Sequence, residues 1–592
     1  MAMRRLAIID LNSGQQPLYS DDKKIALVFN GEIYNFKALR EKLKLRGACF
    51  NTKSDTEVIL RLYEEHGVQG FRLLDGMFGF SLYDSTEKKV FICRDYFGEK
   101  PIYYYPSADR LYIASELKSI INTVDQMPPI SKEGLSLYFS LTYIPSPFTI
   151  FKGIRKLSPN SILTYDLQDH EFQIDSLIPN KEIDKIDISF DDAKKKVRDL
   201  VVESVETRSI SDVPLGTFLS GGVDSSIVSL CLARANNKPI DTFSIGFEKK
   251  SFSEEKKSRL VANLLGSRHH EFIIGESDLA NSISKILLNF DEPFADASAL
   301  ATYIVAKKTA GFVKVALTGD GGDEVFGGYN KYYIGQMNSM YTKWVPEFLH
   351  QTINNTSEVL LRRKDDSRGL KYKINKLVKS ISYDNDYYWE IISLGLDKGD
   401  AKHFFLPNWR FDNPFQYYKS FIGIESPKSL TDFKTIDRHL SLEGDMLVKV
   451  DRTSMLNSLE CRAPFLNKNI YDFVASLPDE YLLNHWNKKR ILKEAFSDDF
   501  PKGFLEKPKK GFGIPVGDWL RNSLKTQLRK FSSKEFLDEQ GIFNTESIQK
   551  LIADHIDCKI DNTFKVWAFY CFQIWYKGVY CAPLNVRNIA LL

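Results

Sequence analysis

Three things are scarce in this 592-residue sequence: paired cysteines, long apolar runs and net charge. Cys49, Cys93, Cys231, Cys461, Cys558, Cys571 and Cys581 are scattered, and no two form a CxxC pair. The number is odd and the chain long, so reduced thiols in a cytosolic protein are expected. No stretch approaches the apolar length of a membrane span, and Met1–Leu11 lacks the apolar core of a signal peptide. Eighty basic and 77 acidic residues leave a formal charge of only +3, which argues against a nucleic-acid or membrane surface. There is no internal repeat and no low-complexity segment. What remains is a soluble globular composition, 43% hydrophobic and 13% aromatic, too long for one core.

Strand signals dominate to about residue 165. "MRRLAIIDL" (3–11) reads as a buried strand, and "KIALVFNGEIYN", "MFGFSLYD", "KVFICRD", "PIYYYPS" and "RLYIASE" follow as short strands between turns. Helical patterns are fewer, at 37–47 and 55–67, an α+β layout with antiparallel sheets. The polar stretch 166–189 reads as a linker. Beyond it, helix 190–209, strand 214–220, helix 225–236, strand 240–247 and helix 254–266 alternate, the signature of a parallel α/β sheet. The rest is helix-rich and aromatic to the end.

"FLSGGVDSSIV" (218–228) is the sharpest chemical signal. A strand ends at Leu219, and Ser220, Gly221 and Gly222 turn into a helix near Asp224. Glycines admit close backbone approach, hydroxyls donate, and the helix N-terminus offers free N–H groups to an anion such as a phosphate chain. No Lys-Ser/Thr pair makes it a Walker loop. A second strand ends in "VALTGDGGDEVFGGYNKYY" (315–333), where five glycines surround Asp320, Asp323 and Glu324. Clustered carboxylates need a cation, and hard oxygen ligands beside phosphates suit Mg²⁺.

The first loop resembles the pyrophosphate loop of the N-type ATP pyrophosphatases. Both loops together resemble the glutamine-dependent asparagine synthetases, as do "DEPFADASALATY" (291–303), "DMLVKVDRTSMLNSLECRAPFL" (445–466), "KKRILKEAF" (488–496) and "KPKKGFGIPVGDWLR" (507–521). The resemblance implies an incomplete α+β glutaminase domain of the N-terminal-nucleophile type over 1–165, a linker over 166–189 and an α/β parallel-sheet ATP pyrophosphatase domain with a helical C-terminal part over 190–592. It implies ATP and Mg²⁺ as cofactors and adenylation of aspartate, with ammonia then displacing AMP. Ser220, Gly221, Gly222, Asp224, Ser225, Ile245, Thr318 and Gly319 would bind ATP. Asp323 and Glu324 would hold the metal, and Lys489 would neutralise the departing pyrophosphate. Asp320 stands where the best-studied branch has a glutamate, a candidate base one methylene longer. Partners are then small molecules (aspartate, glutamine or ammonia), a homodimer being allowed. The alternatives are an amidotransferase acting on a sugar acid or peptide, and a nucleotide-binding pseudoenzyme.

The same resemblance assigns Arg5, Ile9, Asn30, Gly31, Glu32 and Asp55 to glutamine, with Asn30 and the Gly31 N–H facing the tetrahedral oxyanion. In the family, a strand led by a nucleophilic cysteine precedes the "RRLAIID" segment. Here Met1-Ala2-Met3 stands there, and Cys49 looks like a core or helix-end residue. The expectation is a sequence that starts inside its first domain and does not hydrolyse glutamine by the family mechanism. An upstream start, a shortened enzyme fed by free ammonia, and a relict lid would each account for it.

Overall fold

The computed structural model describes residues 1–179, 183–247, 255–275, 282–360, 374, 378, 381–383, 386–396, 398–506 and 514–582. Part of the linker (180–182) and the motif stretch 507–513 therefore lie outside the described residues.

Strands β1 (Leu18–Tyr19), β2 (Ile25–Ile33), β3 (Gly76–Asp84) and β4 (Lys89–Arg94) run antiparallel. A separate sheet follows, with β5 (Tyr103–Pro106) between β6 (Leu111–Ala114) and β7 (Arg155–Lys156). The chain then returns through β8 (Ser161–Asp166) and β9 (Phe172–Ser176), giving the six-stranded order β1-β2-β3-β4-β8-β9. Alternation along the strands sorts the side chains to two faces. Leu27, Phe29, Phe78, Phe80 and Phe91 pack on one face with Leu39, Leu43, Val58 and Leu62 of helices Phe36–Leu45 and Thr56–His66. Ile92, Leu163 and Tyr165 point to the other face, against Ile102 and Tyr104 of the smaller sheet.

Two sequence expectations fail here. Residues 3–11 form no strand: Ile8 and Ile9 are buried, but the backbone is tied to a loop instead of a ladder. Asp212 N–H donates to Ile8 O at 3.2 Å, and Asp10 N–H donates to Asp212 at 2.9 Å. The supposed linker contains β9, which pairs with β8 over five residues. All of β9 is exposed, so burial imprinted no period on its sequence. Cys49 is exposed just beyond helix Phe36–Leu45, so it is a helix-end residue and not a core one.

After helix Phe190–Arg208 comes a parallel sheet of β10 (Leu215–Phe218), β11 (Asp241–Phe247), β12 (Arg268–Ile274), β13 (Val315–Leu317) and β14 (Glu460–Arg462). Its order is β12-β11-β10-β13-β14. The chain leaves β10 to one side for β11 and comes back on its other side as β13. Such a reversal opens a crevice beyond the carboxyl ends of the two strands, where open α/β sheets bind ligands. The loops after β10 and β13 are the two glycine loops singled out above. The C-terminal part is helical, and Val566–Trp575 of helix Thr563–Trp575 is buried throughout.

Candidate functional site

At the crevice the two loops touch. Helix Val223–Ala235 starts at Gly222, and Gly221 turns with φ +75° against the Lys257–Ser258 backbone. Ser220 and Ser225 hydroxyls stand 3.0 Å apart, and the Gly222 N–H donates to Ser220 Oγ at 3.4 Å. From the other loop, Gly319 and Gly322 lie against Asp224. A Cβ on Gly319 would come within 2.8 Å of the Asp224 Cβ, and one on Gly322 within 2.6 Å of its Oδ1. Glycine is needed at both because a side chain would push the loops apart.

Lys489 closes the arrangement. It precedes helix Arg490–Ala495 at φ +52°, and its buried Nζ donates to Asp224 Oδ2 at 2.6 Å and to Oδ1 at 2.7 Å. It also meets Asp323 Oδ1 at 2.6 Å. Burial opposes the charge on Lys489, but Asp224 and Asp323 outweigh it and hold the ammonium above the ordinary lysine range. Glu324 is pushed up to about 7 by burial and by Asp323, against a 2.6 Å hydrogen bond from the Tyr329 hydroxyl. One cleft takes in Ser220, Gly222, Asp224, Ser225, Ile245, Thr318, Gly319, Asp320, Asp323 and Glu324. Of the residues expected at the nucleotide, Gly221 lies behind the turn, and Lys489 reaches the cleft through its carboxylate partners.

The described residues contain no cluster of three His, Cys, Asp or Glu that could hold a metal by themselves. Asp323 and Glu324 beside a hydroxyl- and N–H-lined turn instead fit a hard cation that arrives on phosphates and takes one or two carboxylates.

The residues expected to bind glutamine also come together. Arg5, Asn30, Gly31, Glu32 and Asp55 line a small pocket on the antiparallel sheet, along with Met455 and Glu460. Ile9 takes part through its carbonyl, which accepts from Arg5 Nη2, while its side chain is in the core. Gly31, at φ +142°, leaves no room for a Cβ, which would sit 1.9 Å from Met77 O. Asp55 accepts from the Ile33 and Thr56 N–H groups, each at 2.9 Å, yet burial keeps it above the usual carboxylate range. Burial likewise holds Glu32 well above that range, with Arg462 at 3.3 Å opposing the shift.

Sequence reasoning missed Arg462. Its side chain also donates to Glu460 at 2.8 Å and to the Arg208 and Ile210 carbonyls, while its own carbonyl accepts from Thr318 N–H at 2.9 Å. One residue thus touches the glutamine-type pocket through its side chain and the acidic loop through its backbone. The quoted segment 445–466 contained it, but nothing local in "LECRAPFL" indicates a partner 430 positions earlier. A further internal cavity is lined by Met77, Lys100, Asp320, Val450, Cys461 and Ala463 among others. It shares Thr318, Asp320 and Val450 with the nucleotide-type cleft.

Residues 196–577 match the asparagine synthase family, and residues 1–174 match a glutamine amidotransferase domain. The chain is 33% identical over 577 residues to a protein of Bacillus subtilis (strain 168) named asparagine synthetase (glutamine-hydrolyzing) 1, covering 97% of this chain and 89% of that one. A Mycobacterium bovis protein named putative asparagine synthetase (glutamine-hydrolyzing) is 29% identical over 586 residues, covering 97% and 88%. A Methanocaldococcus jannaschii relative with a similar name is 37% identical over 369 residues, covering 58% of this chain and 69% of its own.

Proposed function

Because this chain belongs to the family of glutamine-hydrolysing asparagine synthetases, which are carbon–nitrogen ligases, we propose that it amidates aspartate at the expense of ATP. The route is a β-aspartyl-adenylate, and the products are asparagine, AMP and pyrophosphate. The observation that carries this reading is the single cleft in which the loops at 220 and 320 face each other, with Lys489 between Asp224 and Asp323.

Ser220, Gly222 and Ser225 at the start of helix Val223–Ala235 present hydroxyl, N–H and helix-dipole positive charge to the pyrophosphate portion of ATP. Ile245 in β11 meets the adenine through its backbone, and Thr318 and Gly319 flank the nucleotide. Asp323, with Glu324, would hold Mg²⁺, which supplies charge neutralisation along the triphosphate. Lys489 stabilises the pyrophosphate as the aspartate carboxylate displaces it at the α-phosphorus. Asp320, at the meeting of cleft and inner cavity, takes up a proton as ammonia attacks the acyl carbon and AMP leaves. The N-terminal region, an N-terminal-nucleophile-type glutaminase fold over 1–165, binds glutamine with Arg5, Asn30, Gly31, Glu32 and Asp55. On β14, Glu460 lines its pocket and the next residue, Cys461, lines the inner cavity. Ammonia enters the cleft from the inner cavity, which shares Thr318, Asp320 and Val450 with it.

The test bypasses glutamine. Purified chain, ATP, Mg²⁺, aspartate and ammonium chloride should yield asparagine, AMP and pyrophosphate in equal amounts. Release of ADP and phosphate, or AMP without asparagine, would refute the proposal.

A further inference from the structure

Lys489 accounts for the cation on the phosphate side of the cleft. A second buried lysine, Lys449, lines the same cleft from helix Val448–Met455 and has no part in the chemistry described so far. Its Nζ donates to Asp296 Oδ2 at 2.7 Å and contacts Met446 Sδ at 3.2 Å. Asp296 is itself fixed by Ser298, whose N–H donates to it at 2.9 Å and whose hydroxyl donates at 2.6 Å. Behind Asp296 lies Asp445, one of whose oxygens is buried without a hydrogen-bond partner among the described residues. A lysine has three donors, so one pinned by Asp296 can still serve a second anion.

Position decides which anion. The acceptor carbonyl must stand where ammonia arrives, at the residues common to cleft and inner cavity: Thr318, Asp320 and Val450. Lys449 is the neighbour of Val450 in the chain, and the charges of Asp296, Asp445 and Asp320 all act on it. Aspartate brings two carboxylates. One reacts with ATP; the other would be buried beside Asp320, Asp323 and Glu324 at a heavy cost unless a cation met it.

We infer that Lys449 binds the non-reacting α-carboxylate of the acceptor, with Asp296 as its positioning residue, and so selects a dicarboxylate substrate. The inference rests on the synthetase reading above and adds the residue that recognises the acceptor.

The test compares aspartate with 3-aminopropanoate, which is aspartate without its α-carboxylate, by pyrophosphate release from Mg²⁺-ATP with ammonium. Wild type should prefer aspartate. Lys449→Met should lower kcat/KM for aspartate by about 10- to 100-fold, the worth of a charged hydrogen bond. It should leave 3-aminopropanoate and the KM for ATP within about threefold, so the preference collapses, and Lys449→Arg should restore much of it. Equal losses for both acceptors, or a parallel rise in the KM for ATP, would overturn the inference. If Lys449→Met does not fold, wild-type inhibition decides the matter: succinate should compete with aspartate at least tenfold better than propanoate, and equal competition would sink the idea. Should wild type use no aspartate at all, the synthetase reading falls as well; should it use aspartate without these differences, only the role of Lys449 falls.

Discussion

The two pockets of this chain neutralise their carboxylates in different ways. In the C-terminal cleft the counter-charge belongs to the site, since Lys489 lies within 2.7 Å of Asp224 and 2.6 Å of Asp323. In the N-terminal pocket the carboxylate Glu32 relies on Arg462, which comes from the far edge of the parallel sheet. The first pocket holds its charges with its own residues, whereas the second has Arg5 of its own but gains the cation nearest Glu32 only when both halves of the chain are in place. Other buried pairs join the halves in the same way, Arg94 with Glu443 at 2.9 Å and Lys100 with Asp451 at 2.9 Å.

The contrast is most exposed to test at Arg462. Arg462→Met leaves Glu32 and Glu460 buried without their cation, and should cost about 3–5 kcal/mol in urea unfolding. Adding Glu32→Gln should recover part of that loss; a double mutant no more stable than the single would show that Glu32 does not depend on Arg462. Lys489→Ala should behave differently, because both of its partners, Asp224 and Asp323, belong to the C-terminal cleft. It should slow pyrophosphate release by about 100- to 1,000-fold, with glutamine binding in the other pocket, followed by calorimetry, unchanged.

Lys434 sharpens the comparison from a third side. It is buried, and the carboxylate that acts on it, Asp479, is already held by Lys185 at 2.9 Å. Burial pulls its ammonium down to about 7. Between that value and the unfolded lysine value near 10.4, the unfolded chain binds the extra proton, so stability through this group rises with pH. Below pH 7 the cost is fully present. Lys434→Met should therefore stabilise the fold by roughly 1–4 kcal/mol at pH 6.5, and the gain should shrink toward pH 10. A gain independent of pH would mean that packing, not charge, is responsible. The smallest effect belongs to Gly319→Ala, where the added methyl meets Asp224 at 2.8 Å. Overpacking there should cost about 1–3 kcal/mol in thermal unfolding and weaken ATP binding, with no change at the glutamine-type pocket.

What could be read in advance follows the range over which each feature is encoded. The loops at 220 and 320 announce themselves because strand, glycines, polar residues and helix stand within a dozen positions of one another. The antiparallel strands β2, β3 and β4 are legible as short apolar runs between turn residues, because β3 and β4 bury consecutive side chains on both faces. β9 could not be found, since every one of its residues is exposed. "LAII" at the start misled for the converse reason: an apolar run signals burial, but strand structure also needs a neighbour to bond with. Arg462, Lys449 and Asp296 stood inside recognised segments, yet their roles depend on partners brought close only by folding.

Val315 of β13 is packed in the same hydrophobic cluster as Leu27, Phe78 and Val58 of the first sheet. The strand that launches the acidic loop therefore has its foot in the other half's interior. Severing the polypeptide between residues 177 and 189 would not release two independent enzymes. Made without the first half, the synthetase half would expose Val315 and Leu215 and leave Glu443 without Arg94, so it should be prone to clump, and its ATP chemistry should be lost along with its solubility.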